Sequence, residues 1–385
     1  MKKLLLSAFS IFGILINSQT FNQNYANISN QVSQTNINTY LQEFQNLGVK
    51  TTGSTANNNA FEWLKTKYTS FGYNAEQISQ DDFIYNGKTT SNLIITKKGD
   101  KFPNTYVIVC GHYDTANGPG ANDNGSGVSV ILEMARLLKD IPTEYSIKFI
   151  NFSGEEQGLL GSQHYVSNVV NATNPKMDIR LVLNIDEVGG VKGKTNDTVT
   201  CERDTSAPNS NNATSNTYTQ QLMTCVSLYS PLKTRLSNAY ASDYMPFQSN
   251  GEIITGLFES NETTYAHSST DTVANLDTVY IYNIAKAATG AVQHFSIAYN
   301  LLSVGDITSL EKHFNIFPNP AKDFIEITPV GNVNNYSFTV SNLDGKLISR
   351  TENISKININ HLTKGVYIGT IKVGDKTISK KFIKE

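Results

Sequence analysis

The stretch "TYVIVCGH", residues 105–112, is a near-continuous run of apolar side chains that ends on glycine and histidine. A strand that is apolar on both faces is typical of the centre of a parallel sheet covered by helices. Two similar runs follow, "YSIKFINFS" (145–153) and "IRLVLNID" (179–186), with a helical pattern between consecutive runs. This alternation predicts an α/β fold in which a mixed, mostly parallel central sheet has helices on both faces.

Hydrophobic periodicity and helix-capping residues extend this pattern in both directions. The predicted helices span residues 35–47, 56–71, 126–140, 159–170, 216–229 and 276–299. Further strands are predicted at 92–98 and 253–259. The predicted domain built from these elements spans residues 19–300.

The composition is that of a globular protein. The chain has 385 residues, of which 39% are hydrophobic and 17% charged, and its formal net charge is −2. That length suffices for one large and one small domain. Because the chain is not basic, nucleic acid is excluded as a partner. We expect a monomer.

The first residues, "MKKLLLSAFSIFGILINSQT", are typical of a secretory signal peptide. Two lysines precede an apolar run from Leu4 to Ile16, and the small side chain of Ser18 suits cleavage. The run is too short for a membrane span, and no other stretch is long and apolar enough to cross a bilayer. The sequence therefore predicts a signal peptide at residues 1–18 and an exported protein.

The pattern changes after residue 300. The breaker cluster "FPNP" (317–320) is followed by short alternating strands separated by turns, which predicts a small all-β sandwich module at 314–385 behind a linker at 301–313. The module carries ten basic and six acidic residues, whereas residues 19–313 carry 19 basic and 27 acidic ones. The opposite charge balance supports two separate units.

Three cysteines are too few for a disulfide scaffold. An exported protein permits one bridge, and Cys110 lies in an apolar strand, so Cys201 with Cys225 is the better pair. The alternative is that both are unbridged buried thiols.

Metal-ligating side chains follow five strand ends or the loops after them. These residues are His112, Asp114, Asp123, Glu155, Glu156, Asp186, Glu187 and His267. Taken singly, each has an ordinary explanation, such as a helix N-cap, a structural histidine or a solvated carboxylate. Ligands of open α/β sheets bind beyond the carboxyl ends of the strands, so the set as a whole predicts a metal site there.

Imidazole together with carboxylate is a ligand set of zinc. One carboxylate can bridge two ions, as in aminopeptidases and phosphatases. The adjacent Glu155 and Glu156 fit such a site, because consecutive side chains in an extended turn point in opposite directions. One can bind metal while the other acts as a general base.

Five motifs in this order, "GHYDT", "GANDNGSG", "NFSGEEQGLLGS", "NIDE" and "HSSTDT", resemble the M28 family of zinc metallopeptidases. The resemblance, to the aminopeptidase Y and Vibrio or Streptomyces aminopeptidase type, covers about residues 35–300. It implies a zinc aminopeptidase fold, two Zn²⁺ per chain and a secreted enzyme that hydrolyses N-terminal residues from peptides. It also implies that Asp123 bridges the ions, with His112 and Asp186 on one and Glu156 and His267 on the other.

The same resemblance implies that Glu155 is the general base on a metal-bridging water. Asp114 would hold the His112 imidazole by a hydrogen bond. A cis peptide is implied between Asp123 and Asn124.

The sequence departs from the family at "YASDYMPF" (240–247), where Tyr244 stands in place of a histidine. Tyr240 or Tyr244 is a candidate donor to the oxyanion of the reaction, and a core tyrosine is the alternative. Glu187 is a candidate partner for the α-ammonium group of a substrate, and a solvent-facing glutamate is the alternative.

The C-terminal module resembles a type IX secretion sorting domain in "FNIFPNPAKDFIEI", "SNLDGKLIS", "LTKGVYIGTI" and "KKFIKE". This implies export through the outer membrane by the type IX secretion machinery, and a secreted or cell-surface protein. The competing interpretation is a carbohydrate-binding sandwich, but residues 314–385 contain no tryptophan.

Two other functions stay open. A single-zinc glutaminyl cyclase, an acyltransferase on the same fold, is the alternative enzyme, although "EEQGLLGS" is more similar to the peptidases. A non-enzymatic binding module fits less well, because a binding protein has no need of a base beside a metal ligand.

Overall fold

The computed structural model describes residues 19–299, 315–328, 336–373 and 376–385. The chain divides into two compact units between Tyr299 and Asn300. The predicted signal peptide (1–18) and the predicted linker (301–313) lie entirely outside the described residues. The predicted domain limits, 19–300 and 314–385, stay predictions.

The first unit contains eight α-helices, a short 3₁₀ helix at Val273–Asn275 and eight strands among its described residues. The helices are α1 (Gln23–Ser29), α2 (Gln34–Asn46), α3 (Thr55–Ser70), α4 (Gly125–Leu138), α5 (Leu160–Tyr165, continued by a π-helical turn at Val166–Val170), α6 (Asn212–Tyr229), α7 (Met245–Ser249) and α8 (Thr278–Ser296). The strands are β1 (Ile78–Tyr85), β2 (Lys88–Lys97), β3 (Phe102–His112), β4 (Tyr145–Phe152), β5 (Asp178–Ile185), β6 (Thr198–Arg203), β7 (Lys233–Asn238) and β8 (Ile254–Glu259).

The eight strands form one mixed sheet in the order β1-β2-β4-β3-β5-β8-β6-β7. The four central strands, β4, β3, β5 and β8, are mutually parallel. Strands β1 and β2 add an antiparallel hairpin at one side, and β6 pairs antiparallel with β8 at the other. The predicted mixed, mostly parallel sheet is confirmed.

The central strands are buried on both faces, as their apolar runs predict. In β3, Val107 and Val109 belong to the core beneath α2, α4, α6 and α8, whereas Ile108 and Cys110 point to the opposite core, beside α5 and α7. Since successive side chains of a strand alternate between faces, one apolar run serves two layers of helices. Helices therefore cover both faces.

Local capping determines where α4 begins, which places a loop at the carboxyl edge of the sheet. The Asn124 side chain accepts a hydrogen bond from the Gly127 N–H, and the helix starts at Gly125. A side-chain cap of this kind stabilises a helix by about 1 kcal/mol. The residue just before the cap is Asp123, and the peptide between them is cis, as the resemblance implied.

The second unit consists of two antiparallel sheets with one shared core. Its strands are β9 (Asn315–Phe317), β10 (Phe324–Thr328), β11 (Ser337–Ser341), β12 (Leu347–Glu352), β13 (Lys356–Asn358), β14 (Gly365–Val373) and β15 (Lys376–Lys384). They pair as β13-β10-β9 and β12-β11-β14-β15. Side chains such as Ile325, Phe338 and Phe382 from both sheets form the core, so the predicted all-β sandwich module is confirmed.

The predicted Cys201–Cys225 disulfide is wrong, because all three cysteines are free, buried thiols. Cys201 lies inside β6 and Cys225 inside α6, where both belong to the same apolar core. The Cys225 Sγ accepts a hydrogen bond from Gln19 Nε2 at 2.7 Å. The two residues act as small apolar side chains, which was the alternative.

We expect a chain truncated after Ser303 to keep the fold of the first unit. The core of that unit is built from residues before 299, and the Tyr299 N–H still donates to the Pro142 carbonyl. Thermal unfolding followed by circular dichroism should show a midpoint close to that of the full chain. A chain ending at Thr289 is the control, since it loses the buried Val292 and Phe295 and should unfold at a lower temperature. Aggregation of the Ser303 truncation would contradict the prediction.

Candidate metal centre

A cavity of about 310 Å³ opens at the carboxyl edge of the central strands. It is lined by His112, Asp123, Glu155, Glu156, Gly158, Leu159, Asp186, Glu187, Tyr240, Ala241 and His267. All five predicted metal ligands are among these residues. They come from the ends of β3 and β5, from the loops after β4 and β8, and from the turn that precedes α4, so parallel strand ends bring together residues that are far apart in sequence.

The carboxylate of Asp123 lies between two imidazoles. Its Oδ1 is 3.2 Å from His112 Nε2, and its Oδ2 is 3.0 Å from His267 Nε2. Each imidazole also faces a second carboxylate: His112 Nε2 is 3.2 Å from Asp186 Oδ1, and His267 Nε2 is 3.0 Å from Glu156 Oε2. The five side chains thus form two groups that share Asp123.

These separations fit tetrahedral zinc. Zinc bonds of 2.0–2.1 Å at tetrahedral angles place ligand atoms about 3.3 Å apart. The tautomer fits as well, because the His112 Nδ1–H donates to the Asp114 carbonyl oxygen at 3.1 Å and leaves the Nε2 lone pair facing two carboxylates. When the imidazole is neutral, three acceptor atoms converge here, and a cation between them would offset their repulsion. The residues present therefore fit a zinc site.

Asp114 contacts His112 through its main chain, whereas the resemblance implied its side chain. The Asp114 carboxylate lies 3.7 Å from His112 Nδ1, beyond hydrogen-bonding distance. It instead accepts hydrogen bonds from Thr52 Oγ1 and from the N–H groups of Glu155 and Glu156. Asp114 therefore connects the end of β3 to the loop that carries both glutamates.

The two adjacent glutamates differ in what they contact. Glu156 Oε1 accepts from the Ala116 N–H at 2.9 Å, and its Oε2 faces His267. The Glu155 carboxyl lines the same cavity but belongs to neither ligand group. The two side chains thus point in different directions, as expected for consecutive residues of an extended turn. The Glu156 carboxylate lies among the candidate ligands, and the Glu155 carboxyl faces the open cavity.

Burial of so many carboxyl groups changes their pKa values. Burial raises the pKa of Glu155 to about 9, that of Glu156 to about 7 and that of Glu187 to about 10, and neighbouring carboxylates add to the rise. For Asp123, burial opposes ionisation, but the adjacent imidazoles of His112 and His267 lower its pKa below the usual range. A concentration of buried carboxylates is stabilised by cationic charge, which divalent ions supply.

The two candidate tyrosines have different positions. The Tyr240 hydroxyl lines the cavity and donates to Asp186 Oδ2 at 3.0 Å, and Ser242 Oγ donates to the same oxygen at 2.7 Å. Tyr244 is fully buried, donates its hydroxyl proton to Glu202 and accepts from the Tyr240 N–H. Tyr244 is therefore a core tyrosine that positions Tyr240, and the prediction that it binds substrate is not supported by its position.

Glu187 lines the cavity, with its backbone at a φ of +47°. Its side chain lies near Asp123, Asp186 and Glu259 and accepts from Asn122 Nδ2 at 3.5 Å. The alternative of a solvent-facing glutamate does not apply, because the side chain is largely buried.

Sequence reasoning missed Asp271, which positions the Asp123 main chain. Its Oδ1 accepts from the Asn122 N–H at 2.7 Å and its Oδ2 from the Asp123 N–H at 3.0 Å. The residue lies in the motif "HSSTDT", of which only His267 was assigned a role. The loop that contains Gly118 packs closely against the loop that contains Ser268. Glycine is required at position 118, because a Cβ there would overlap the Ser268 carbonyl oxygen.

Comparison with known proteins follows the same division into two units. Residues 92–292 match the family model described as "Peptidase family M28", and residues 315–385 match that of the "Secretion system C-terminal sorting domain". Aminopeptidase YwaD of Bacillus subtilis is 43% identical over 107 residues, 27% of this chain and 23% of that protein. The match therefore spans about a quarter of that relative's length.

Two solved structures resemble the fold. The LapA aminopeptidase of Legionella pneumophila has a TM-score of 0.64 at 20% identity, covering 78% of this chain and 81% of the other. A glutaminyl cyclase of Fimbriiglobus ruber has a TM-score of 0.56 at 16% identity, covering 68% and 95%. At these identities, both likenesses show the fold alone.

We expect Asp271→Asn to weaken metal binding about 10- to 100-fold, the range typical when a residue that orients a ligand is changed. The asparagine keeps one acceptor oxygen but turns an amide N–H₂ toward a backbone N–H, which disturbs the Asp123 loop. Zinc affinity from chelator competition is the measurement. Asp197→Asn, at an exposed aspartate paired with Lys233, is the matched control and should leave affinity unchanged. Equal affinities for both variants would contradict the positioning role of Asp271.

Proposed function

The chain belongs to peptidase family M28, and from that premise we propose that it is an exported aminopeptidase with two zinc ions per chain. The observation that carries the proposal is the Asp123 carboxylate, each oxygen of which faces a different imidazole nitrogen at 3.0–3.2 Å. A second imidazole on the other oxygen favours two ions over one, although it does not exclude a single-ion site. The whole protein's activity and substrates are part of the proposal.

The ligands divide around Asp123. His112 and Asp186 would hold one zinc ion, and Glu156 and His267 the other. When bound, zinc supplies a Lewis acid that polarises a carbonyl group and lowers the pKa of a water molecule.

Glu155 is the general base of the proposed reaction. It takes a proton from water as the water oxygen bonds to the carbonyl carbon of the first peptide bond. It then passes that proton to the peptide nitrogen as the C–N bond breaks, releasing an amino acid and a peptide shortened by one residue. Support comes from its place in the cavity beside Glu156 and outside both ligand groups.

Asp114 and Tyr240 assist in different ways. Asp114 is a positioning residue, because its carboxylate accepts from both glutamate N–H groups and so orients Glu155. Tyr240 carries the one hydroxyl among the side chains that line the cavity. Its one proton goes to Asp186 in the structure. We assign to Tyr240 the turning of that proton to the substrate carbonyl oxygen as negative charge develops there, while Ser242 still donates to Asp186; donors of this kind contribute about 10²–10³ in rate.

Glu187 would bind the substrate's α-ammonium group. Its carboxyl lies largely buried near Asp123, Asp186 and Glu259, and no described lysine or arginine pairs with it. An ammonium group placed there would offset the repulsion among these carboxylates. Such a contact gives a peptidase its requirement for a free N-terminus.

A single-zinc glutaminyl cyclase is the second candidate, since a solved cyclase shares the fold. The cyclase reaction closes an N-terminal glutamine on its own α-amine and uses no attacking water. The two functions differ in ion count and in product, so they are separable in one assay.

Export is supported by the C-terminal unit, which matches the sorting-domain model over residues 315–385. Among the residues that the structure describes, no helix has both the length and the apolar character to cross a bilayer. The sorting-domain match and the predicted signal peptide at residues 1–18 support a secreted or cell-surface protein delivered by the type IX secretion machinery.

The adjacent glutamates give the sharpest test. Glu155→Gln should keep both zinc ions yet lower kcat about 10²- to 10⁴-fold on a leucyl anilide, because a general base contributes in that range. Glu156→Gln should instead lower the zinc content toward one ion per chain, because a ligand is lost. Zinc content by elemental analysis and kcat are the two measurements.

The control for both variants is Glu76→Gln, at an exposed glutamate away from the cavity, which should match the unaltered chain. Loss of zinc in Glu155→Gln with retention in Glu156→Gln would reverse the two assignments. One zinc ion in the unaltered chain, together with cyclisation of an N-terminal glutaminyl peptide, would establish the cyclase.

Removal of residues 304–385 should stop export in the cells that produce the protein. The first unit would still be folded, but the sorting signal would be absent, so the chain should accumulate in the periplasm. Cell fractionation with detection of the first unit is the measurement. A truncated chain that still reaches the medium would remove the sorting function of the module.

A further inference from the structure

We propose that a second, apolar pocket beside the metal cavity binds the side chain that follows the scissile bond, so that peptides with an apolar second residue are preferred. The inference rests on the proposed aminopeptidase function and adds a substrate class to it.

The second pocket has a volume of about 350 Å³. It is lined by Leu159, Gln163, Val166, Ser167, Met245, Pro246 and Ser249. None of these side chains is charged, in contrast to the metal cavity, where seven lining residues are carboxylates or imidazoles of the site just described. Four of the seven residues around the second pocket are apolar and three are uncharged polar residues, namely Gln163, Ser167 and Ser249. Apolar walls with uncharged polar groups between them suit an apolar side chain better than a charged one.

Leu159 joins the two spaces, because it lines both the metal cavity and the apolar pocket. It follows Glu156 by three residues and has a backbone φ of +62°, which is uncommon for a branched side chain. The Glu155–Leu159 turn thereby carries the general base at one end and the shared wall of the apolar pocket at the other.

The order of the strands gives the direction of the substrate. Strand β3 lies between β4 and β5, so the turn after β4 and Glu187 after β5 flank the site on opposite sides. Glu155 must reach the leaving nitrogen to return its proton, which places the leaving part of the peptide on the β4 side. The α-ammonium group then lies toward Glu187, on the β5 side.

The reverse direction is disfavoured by charge. It would bring the α-ammonium group toward the uncharged apolar pocket, where a cation loses its hydration without gaining a partner. The leaving peptide would then run past the carboxylates of Asp186 and Glu187. Charge and proton transfer thus give the same direction, and the first side chain beyond the scissile bond meets the pocket at Leu159.

The test keeps the first residue constant and varies the second. Leucyl-leucine amide, leucyl-serine amide and leucyl-glutamate amide are compared by kcat/KM. We expect leucine over serine by about 10- to 200-fold, the discrimination typical of a hydrophobic pocket. Glutamate should be the poorest of the three.

Two variants connect that preference to the pocket. Met245→Ser should reduce the leucine-to-serine ratio at least several-fold, and Met223→Ser, at another half-buried methionine, is the matched control that should keep it. Ser249→Glu changes only an exposed residue of the lining and should also reduce the ratio, which covers the case in which Met245→Ser does not fold. The same dipeptide amides titrated calorimetrically into Glu155→Gln should rank in the same order by Kd.

The outcomes separate the two proposals. If the dipeptide amides are cleaved with equal kcat/KM, or if the variants change the preference for the first residue instead of the second, the pocket assignment is wrong while the aminopeptidase stands. If no free-amine peptide is cleaved, the proposed function fails and the assignment fails with it.

Discussion

The placement of one carboxylate between two imidazoles is the constraint on which the site depends. Asp123 can face His112 with one oxygen and His267 with the other only if the ends of β3 and the loop after β8 approach the turn that precedes α4. That approach is costly, because it collects like charges in a buried space. The hydrogen bonds that surround the site hold the charged side chains close together despite this cost.

Hydrogen bonds to main-chain groups position many of the residues in the site. The Asp114 carbonyl selects the tautomer of His112, and the Asp114 carboxylate accepts from the N–H groups of both glutamates. Asp271 in turn accepts from the N–H groups of Asn122 and Asp123. Buried carboxylates paired with backbone donors are well satisfied and leave the remaining carboxylates free to face the cavity. The result is a rigid shell around a charged centre, on a sheet whose strands are buried on both faces.

The position of the site on the sheet also shapes the space around it. Because β4 and β5 flank β3, Glu155 and Glu187 lie on opposite sides of the candidate metal ligands, and the two sides differ in character. One is rich in carboxylates, and the other opens past Leu159 into an uncharged pocket. A peptide has a cationic end and a chain that continues from the reacting bond, so under the proposed function this asymmetry would give it one orientation.

The sequence by itself determined the central strands and the residues that converge at their ends, because burial on both faces leaves a continuous apolar run and metal-ligating side chains are few in kind. It missed β1, β6 and β7. Strands β1 and β7 lie at the edges of the sheet and are largely exposed, and β6 carries buried polar side chains such as Thr200 and Glu202, so none of the three has such a run. Only the tertiary structure showed that Tyr240 lines the cavity while Tyr244 is buried in the core, and that Cys201 and Cys225 are free thiols. It also showed that Asp114 contacts His112 through its carbonyl oxygen and not through its carboxylate. The physical reason is that the hydrophobic pattern of a sequence indicates which residues are buried. Which atom of a buried residue makes a given contact depends instead on neighbours that come from distant parts of the chain.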